Sequence, residues 1–322
     1  GLFDRWDHAV PFTVPFNLTG LPVSGWSPIG GPWTLQSGAI ALWAIVALVV
    51  TSVGRRRLRL SYEAWRTVHL VLSLVAVAGM VTHVGAVAGY ARAIALRALL
   101  GVYVIAFGSV LLAYRVVRPL RMSGRPWTVV ENADAGGSTR LLRVRPDGHA
   151  GLVFEPGQFA WIVTGTSPFS QQQHPLSIAS SAVQPADGSL QFAVKAIGDW
   201  SGTVVPALTR GTRVWVDGAY GAFTTDGKDA ARGFVLIAGG IGIAPMRSML
   251  LTMRDRGDRR PVLLVYAAHD ETRAPFREEI EALRAVLALD VVYVFEAPRA
   301  AADSVERGYL TLALLQRRLP PD

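Results

Sequence analysis

Two histidines stand inside a stretch that is otherwise almost wholly apolar. His69 and His83 are 83 − 69 = 14 residues apart, and at about 100° per residue a helix returns both imidazoles to one face. At about 1.5 Å rise per residue they lie roughly 21 Å apart along the axis, one toward each side of a bilayer if the segment spans one. Ionisable side chains at membrane depth are costly and mark function, and imidazole is a common axial ligand of haem iron. The spacing points to His69 and His83 as metal ligands of two haems stacked across a membrane. The plainer alternative is that each ring hydrogen-bonds a neighbouring helix. The sequence has 6 histidines and no cysteine, so disulfides, thiolate metal sites and cysteine nucleophiles are excluded. A second ligand for each iron is not supplied by another apolar run: His8 precedes the first, and His149, His174 and His269 follow the last.

Further along stands His174-Pro175-Leu176-Ser177-Ile178, bounded by strand-like runs. A small hydroxyl there can hydrogen-bond the edge of a flavin ring while its neighbours and the backbone hold the rest, which makes Ser177 the catalytic candidate. Lys195, the turn Gly198-Asp199-Trp200-Ser201 and the segment Gly218-Ala219-Tyr220-Gly221 follow in order, with glycines that let a backbone approach a ligand closely. The expected flavin contacts are His174, Pro175, Leu176, Ser177, Ile178, Lys195, Gly198, Trp200, Ser201, Gly218, Tyr220 and Gly221. A second glycine-rich turn, Gly239-Gly240-Ile241-Gly242-Ile243-Ala244-Pro245, comes directly after an apolar strand. Pro245 suits the first residue of a helix, and such a turn seats a pyrophosphate on backbone N–H groups at the helix N-terminus. Gly239, Gly240, Ile241, Gly242 and Pro245 are therefore expected to bind a nicotinamide nucleotide. His269 and Arg273, after the next strand, are expected beside its adenine ribose. Acidic and basic residues occur together there, so NADPH and NADH both stay open.

These groups need elements to carry them. Hydrophobic residues make up 51% of the 322-residue chain and charged residues 17%, with a mean hydropathy of +0.31, a balance that calls for membrane spans. Three apolar runs, about Leu35–Val53, Trp65–Ala88 and Ile94–Val117, each approach the roughly 20 residues that cross a bilayer. The net charge is +8, but the arginines flank these runs: Arg55, Arg56, Arg57 and Arg59 form one group, and Arg115, Arg118, Arg121 and Arg125 another. That is the pattern of cytoplasmic loops rather than of a nucleic-acid face. It orients the spans out-to-in, in-to-out and out-to-in, in a multi-pass cell-membrane protein whose soluble part is cytoplasmic. Residues 1–34, with Trp6, Trp26 and Trp33, read as an extracytoplasmic loop at the interface.

After the third run the composition changes. Short runs at Leu141–Val144, Phe159–Val163, Leu190–Lys195 and Arg213–Val216 predict an antiparallel barrel or sandwich. From Gly233 onward strands and helices alternate (strand Gly233–Ala238, helix Pro245–Arg254, strand Pro261–Tyr266, helix Arg277–Leu287, strand Asp290–Phe295), the pattern of a doubly wound α/β sheet. The expected organisation is a loop at 1–34, haem-binding transmembrane helices at 35–117, an FAD-binding β-barrel domain at 122–228 and an NAD(P)-binding domain at 232–322.

The flavin and nucleotide motifs in this order resemble the ferredoxin–NADP reductase fold. Ser61-Tyr62-Glu63-Ala64-Trp65-Arg66-Thr67-Val68-His69, followed by His83, looks like the fifth helix of the ferric-reductase and NADPH-oxidase superfamily. The soluble motifs look like that family's cofactor segments, so the resemblance covers roughly residues 35–296. It implies six helices with both ends cytoplasmic and two b-type haems held by histidine pairs on the third and fifth helices. The three spans would then be helices four to six, and the partner histidines would lie before Gly1. The family's Cys-Gly-Pro segment and C-terminal aromatic are not found, so the chain looks truncated at both ends. Where oxidase members carry an arginine for the 2′-phosphate, this chain has His269. The implied activity runs from NADPH or NADH through FAD and haem to oxygen or a ferric chelate outside. Two rivals stand beside it: a haem-free, membrane-anchored flavin reductase serving a partner protein, and a non-catalytic scaffold subunit.

Overall fold

The computed structural model describes residues 33–86, 94–183, 185–298 and 305–319. Two compact units divide at Tyr114 and Arg115.

The described residues of the first unit are helical. α1 (Trp33–Val53), α2 (Tyr62–Ala86) and α3 (Ile94–Leu112) are the segments long and apolar enough to cross a membrane among the described residues. α1 begins before the expected Leu35, so Trp33 is helical, and the rest of the proposed outer loop, with His8, lies outside the described residues. Ser61 starts α2, its hydroxyl accepting from Ala64 N at 3.2 Å, as an N-cap should. α1 and α2 pack through small residues. Ser37, Ala41, Ala44 and Ala76 are buried, and a Cβ placed on Gly79 would lie 2.8 Å from the Ser37 carbonyl oxygen. In lipid, such close backbone approach supplies the packing that the hydrophobic effect cannot. No residue of α3 is buried, and an apolar groove of about 440 Å³ separates it from α2, lined by Leu74, Val81 and Phe107 among others.

A π-helical turn, Ala113–Val117, leads into α4 (Arg118–Ser123). The helix thus continues past Arg118, where the composition change predicted its end. The second unit then forms two sheets. The first has six antiparallel strands: β1 (Pro126–Asp134), β2 (Thr139–Pro146), β3 (Phe159–Val163), β4 (Gln173–Ser177), β5 (Leu190–Lys195) and β6 (Arg213–Tyr220). Their order is β4-β3-β6-β1-β2-β5. One bridge, Ile178 to Phe192, joins the two ends, so the sheet curls around a core that includes Trp127, Leu142, Ile162, Ile178 and Phe192. A single turn, α5 (Val205–Ala207), packs on it, and Val205 is fully buried.

The second sheet is parallel. β7 (Phe234–Gly239), β8 (Val262–Ala268), β9 (Leu289–Phe295) and β10 (Val305–Arg307) lie in the order β10-β9-β8-β7. α6 (Ile243–Arg256) and α7 (Arg277–Leu283) cover one face. α8 (Leu312–Arg318) packs Leu314 against Leu263, Val265, Val292 and Val294 on the other. Burial on both faces is why β8 reads Val-Leu-Leu-Val-Tyr without alternation. The expected α/β doubly wound arrangement is present, as is the antiparallel sheet before it. Among the strands and helices of the second unit, β1, β4, β10, α4, α5 and α8 were not predicted.

Candidate functional site

Both histidines of α2 face α1. His69 Nδ1 lies 3.4 Å from Ser52 Oγ, and that hydroxyl donates to Leu48 O at 2.6 Å. Its lone pairs are therefore what it offers His69, which fits a ring protonated at Nδ1 and leaves Nε2 for a metal. The His83 ring occupies the notch above Gly38, where a Cβ would sit 2.7 Å from Nδ1. The separation 52 − 38 = 14 on α1 matches that of the histidines, so each ring has one small α1 residue to pack on. Two half-buried imidazoles thus lie on one face of α2. The other described histidines, His149, His174 and His269, belong to the second unit. His149 is structural there, contacting Pro126 O at 2.9 Å.

In the antiparallel sheet, Ser177 ends β4 opposite Phe159, and Pro175 lies opposite Trp161. The stretch from His174 to Ser177 is thus a strand rather than a connection between strands. Alternation sends Ala160 and Ile162 into the core and leaves Phe159, Trp161, Pro175 and Ser177 on the outer face. Tyr220 closes that face, its ring 5.9 Å from Phe159 and its hydroxyl donating to Asp217 at 2.8 Å. Gly218 permits the close strand approach, since a Cβ there would lie 2.9 Å from that of Ala160. Gly221 has φ +106° beside the Phe159 ring. Ile178 is fully buried and Leu176 packs against the core, so Ile178 has only its backbone to offer a ligand.

His174 stacks on Trp200 with ring centroids 3.8 Å apart, and the Trp200 indole donates to Thr164 Oγ1 at 2.9 Å. The segment read as a turn is the start of a π-helical stretch, Trp200–Val204. Ser201 Oγ accepts from Ile197 N and Gly198 N, each at 3.0 Å, so its hydroxyl shapes this corner.

The nucleotide turn follows β7. Gly239 is extended, Gly240–Gly242 form a 3-10 turn and α6 begins at Ile243; Pro245 is its third residue, not its first. A Cβ on Gly239 or Gly242 would meet nothing within 4 Å, while one on Gly240, at φ +50°, would lie 3.7 Å from Lys195 Nζ. Lys195 therefore brings a cation from the flavin sheet to the glycine turn. Ile241 packs with Ala179, Ala193 and Ala244.

Arg247, on α6, joins the two halves and was not anticipated. It is 5% exposed. Its guanidinium meets both Glu279 oxygens at 2.6 and 2.8 Å, Ala179 O at 2.6 Å and Gln191 Oε1 at 2.9 Å. Ser248 Oγ adds a bond to Ser180 O at 2.7 Å. At the end of β8, His269 Nδ1 pairs with Glu296 at 3.0 Å. Asp270 caps the following turn, accepting from Thr272 N and Arg273 N, and Arg273 is exposed. Tyr266 donates to Pro275 O at 3.2 Å, and burial pushes its phenol above the usual range.

Three family models match in succession: a ferric reductase like transmembrane component over residues 5–80, an FAD-binding domain over 137–224 and an oxidoreductase NAD-binding domain over 236–322. In order, the three matches describe a ferric-reductase-like membrane segment followed by an FAD-binding and an NAD-binding domain. The membrane match includes His69 and stops short of His83. The reductase component of propane 2-monooxygenase from Rhodococcus jostii is 29% identical over 178 residues, 53% of this chain and 46% of that protein. A Bordetella pertussis flavohemoprotein is 31% identical over 144 residues, 43% of this chain and 35% of that one. The chain spans about half or less of the length of these relatives. The flavohem-like FAD/NAD-binding domain of Vibrio cholerae nitric oxide dioxygenase shares the fold, with a TM-score of 0.51 at 22% identity over 59% of this chain and 80% of that one. The chain thus carries segments similar to FAD- and NAD-binding oxidoreductase domains behind a ferric-reductase-like membrane segment.

Proposed function

We propose that this chain carries electrons from NAD(P)H through FAD to b-type haems in its apolar helices and on to an extracytoplasmic acceptor, oxygen or a ferric chelate. The observation that supports the reading is the adjacency of Lys195, at the end of β5, and Gly240, which brings the antiparallel sheet and the glycine turn together in one unit. Bound FAD would supply the step from a two-electron donor to one-electron carriers, and haem the path through the membrane. In this reading Ser177 would hydrogen-bond the flavin edge, and Phe159, Trp161 and Tyr220 would present the outer face that holds the cofactor. The stacked pair His174 and Trp200, with the corner Gly198–Ser201, shapes the end of the site. Gly218 and Gly221 let β6 come close. Gly239 to Gly242 and the start of α6 receive the nucleotide pyrophosphate, and Lys195 neutralises charge there. His69 and His83 would each give Nε2 to a haem iron. The basic loop at Arg55–Arg59 faces the cytoplasm, and with it the second unit.

The reading is tested by anaerobic titration of the flavin-loaded protein with nucleotide. Bleaching of the flavin bands supports it, and an unchanged spectrum with both NADH and NADPH rejects it. A second reading is supported by relatives that are reductase or electron-transfer components of oxygenases, among them that of propane 2-monooxygenase: a haem-free, membrane-anchored reductase that hands electrons to a partner protein. It predicts flavin bleaching with no haem bands.

Nucleotide preference should respond to Glu296. Its carboxylate, held by His269 at 3.0 Å, opposes a 2′-phosphate at the end of β8. Glu296→Gln is expected to raise the NADPH to NADH ratio of kcat/KM about fivefold, the worth of about 1 kcal/mol between nearby charges in water. Steady-state rates with each nucleotide check this, and an unchanged ratio places the ribose elsewhere.

A further inference from the structure

Arg118 stands on the flavin face with part of its donor set unused. Its Nε donates to Asp217 Oδ2 at 2.6 Å, Nη1 reaches Gln173 Oε1 at 3.5 Å, and the guanidinium lies 5.7 Å from the Trp161 ring centroid. Nη2 is enclosed and has no hydrogen-bond partner, and the side chain as a whole is 19% exposed. The register fixes which face this is. Trp161 lies opposite both Asp217 and Pro175, so Arg118, Asp217, Gln173 and Trp161 share the side on which Ser177 and Tyr220 stand. The Asp217 oxygen that holds Arg118 also accepts the Tyr220 hydroxyl. One carboxylate therefore fixes the plane of the guanidinium and the tilt of the phenol.

An enclosed charged donor without an acceptor is costly unless a ligand completes it. The formal charge of oxidised FAD resides on its pyrophosphate, and the planar fork of arginine suits phosphate oxygens. We propose that Arg118 donates through Nη2 to the FAD pyrophosphate, with Asp217 and Trp161 as the residues that position it. This rests on the flavin reading above and extends it to a residue that lies before the FAD-binding domain match.

The test compares dissociation constants for FAD and for riboflavin, which has the same ring and no phosphate, by fluorescence titration of the purified full chain. Arg118→Met and Arg118→Lys are each compared with the unaltered protein, and thermal melting checks that they fold. Arg118→Met should weaken FAD about tenfold or more, the scale of a lost charged hydrogen bond, and leave riboflavin within about twofold. Arg118→Lys should weaken FAD less, because it keeps the charge without the fork. If Arg118→Met fails to fold, the ratio of FAD loss to riboflavin loss in Arg118→Lys decides. Equal losses for the two ligands, or no loss of FAD, overturn the proposal. No FAD binding by the unaltered protein overturns the flavin reading itself, a result separate from either.

Discussion

Gly240→Val is expected to reduce flavin reduction by nucleotide about a hundredfold while FAD still binds. Gly240 sits at φ +50°, where a β-branched residue is strained. The turn it starts carries the N–H groups proposed for the pyrophosphate, and Lys195 Nζ lies 3.7 Å from the position of an added Cβ. Relieving the strain means re-aiming the backbone and displacing the lysine. Losing two or three such contacts is worth about 3 kcal/mol, or about two powers of ten. Because the turn lies outside the outer face of β3, β4 and β6, FAD affinity should hold within about threefold, a difference under 1 kcal/mol. Stopped-flow reduction of the flavin-loaded variant separates the two effects. A normal reduction rate would move the nucleotide away from this turn.

Arg247→Met is expected to cost about 3 kcal/mol of stability, because it breaks a buried charged network rather than replacing it whole. The change removes the donor to Ala179 O and Gln191 Oε1 and leaves Glu279 without its fork. For a unit of this size, that lowers the midpoint of thermal unfolding by about 10 °C. Flavin reduction should also slow, since α6 follows the turn proposed for the nucleotide and Arg247 ties it to Gln191 of β5. Glu279→Gln is the milder companion. Its side chain is 36% exposed, so it should fold and show a smaller share of both effects. A melting temperature within about 2 °C of the parent, under 1 kcal/mol by the same scale, would contradict the role of Arg247 in joining the two halves.

The apolar helices were legible because length and charge flanking act locally, and so was the alternation after Gly233. β4 was not legible. Gln171-Gln172-Gln173-His174-Pro175 shows no apolar alternation, and its strand conformation comes from pairing with β3. The π-helical start at Trp200 was hidden by Gly198 and Asp199, which read as a turn. Pro245 suited a helix start, but the 3-10 turn runs straight into α6 and leaves it third. Among the candidate residues, the common outer face of Ser177 and Tyr220 depends on the long-range register of β3 with β4 and β6. Arg118 was visible only as one of four arginines near the membrane. Arg247 carried a signal that went unused: it interrupts the apolar stripe of Ile243, Met246, Leu250 and Met253, and a charge on a buried face needs an acid such as Glu279.

The most direct measurement is the visible spectrum of the protein purified in detergent from its native membranes, taken anaerobically before and after NADH or NADPH. The account predicts a sharp Soret band with reduced-haem bands that grow on nucleotide addition, and loss of haem signal in His69→Leu and His83→Leu. A flavin spectrum that bleaches without any haem band would contradict the assignment of His69 and His83 and leave a membrane-anchored flavin reductase.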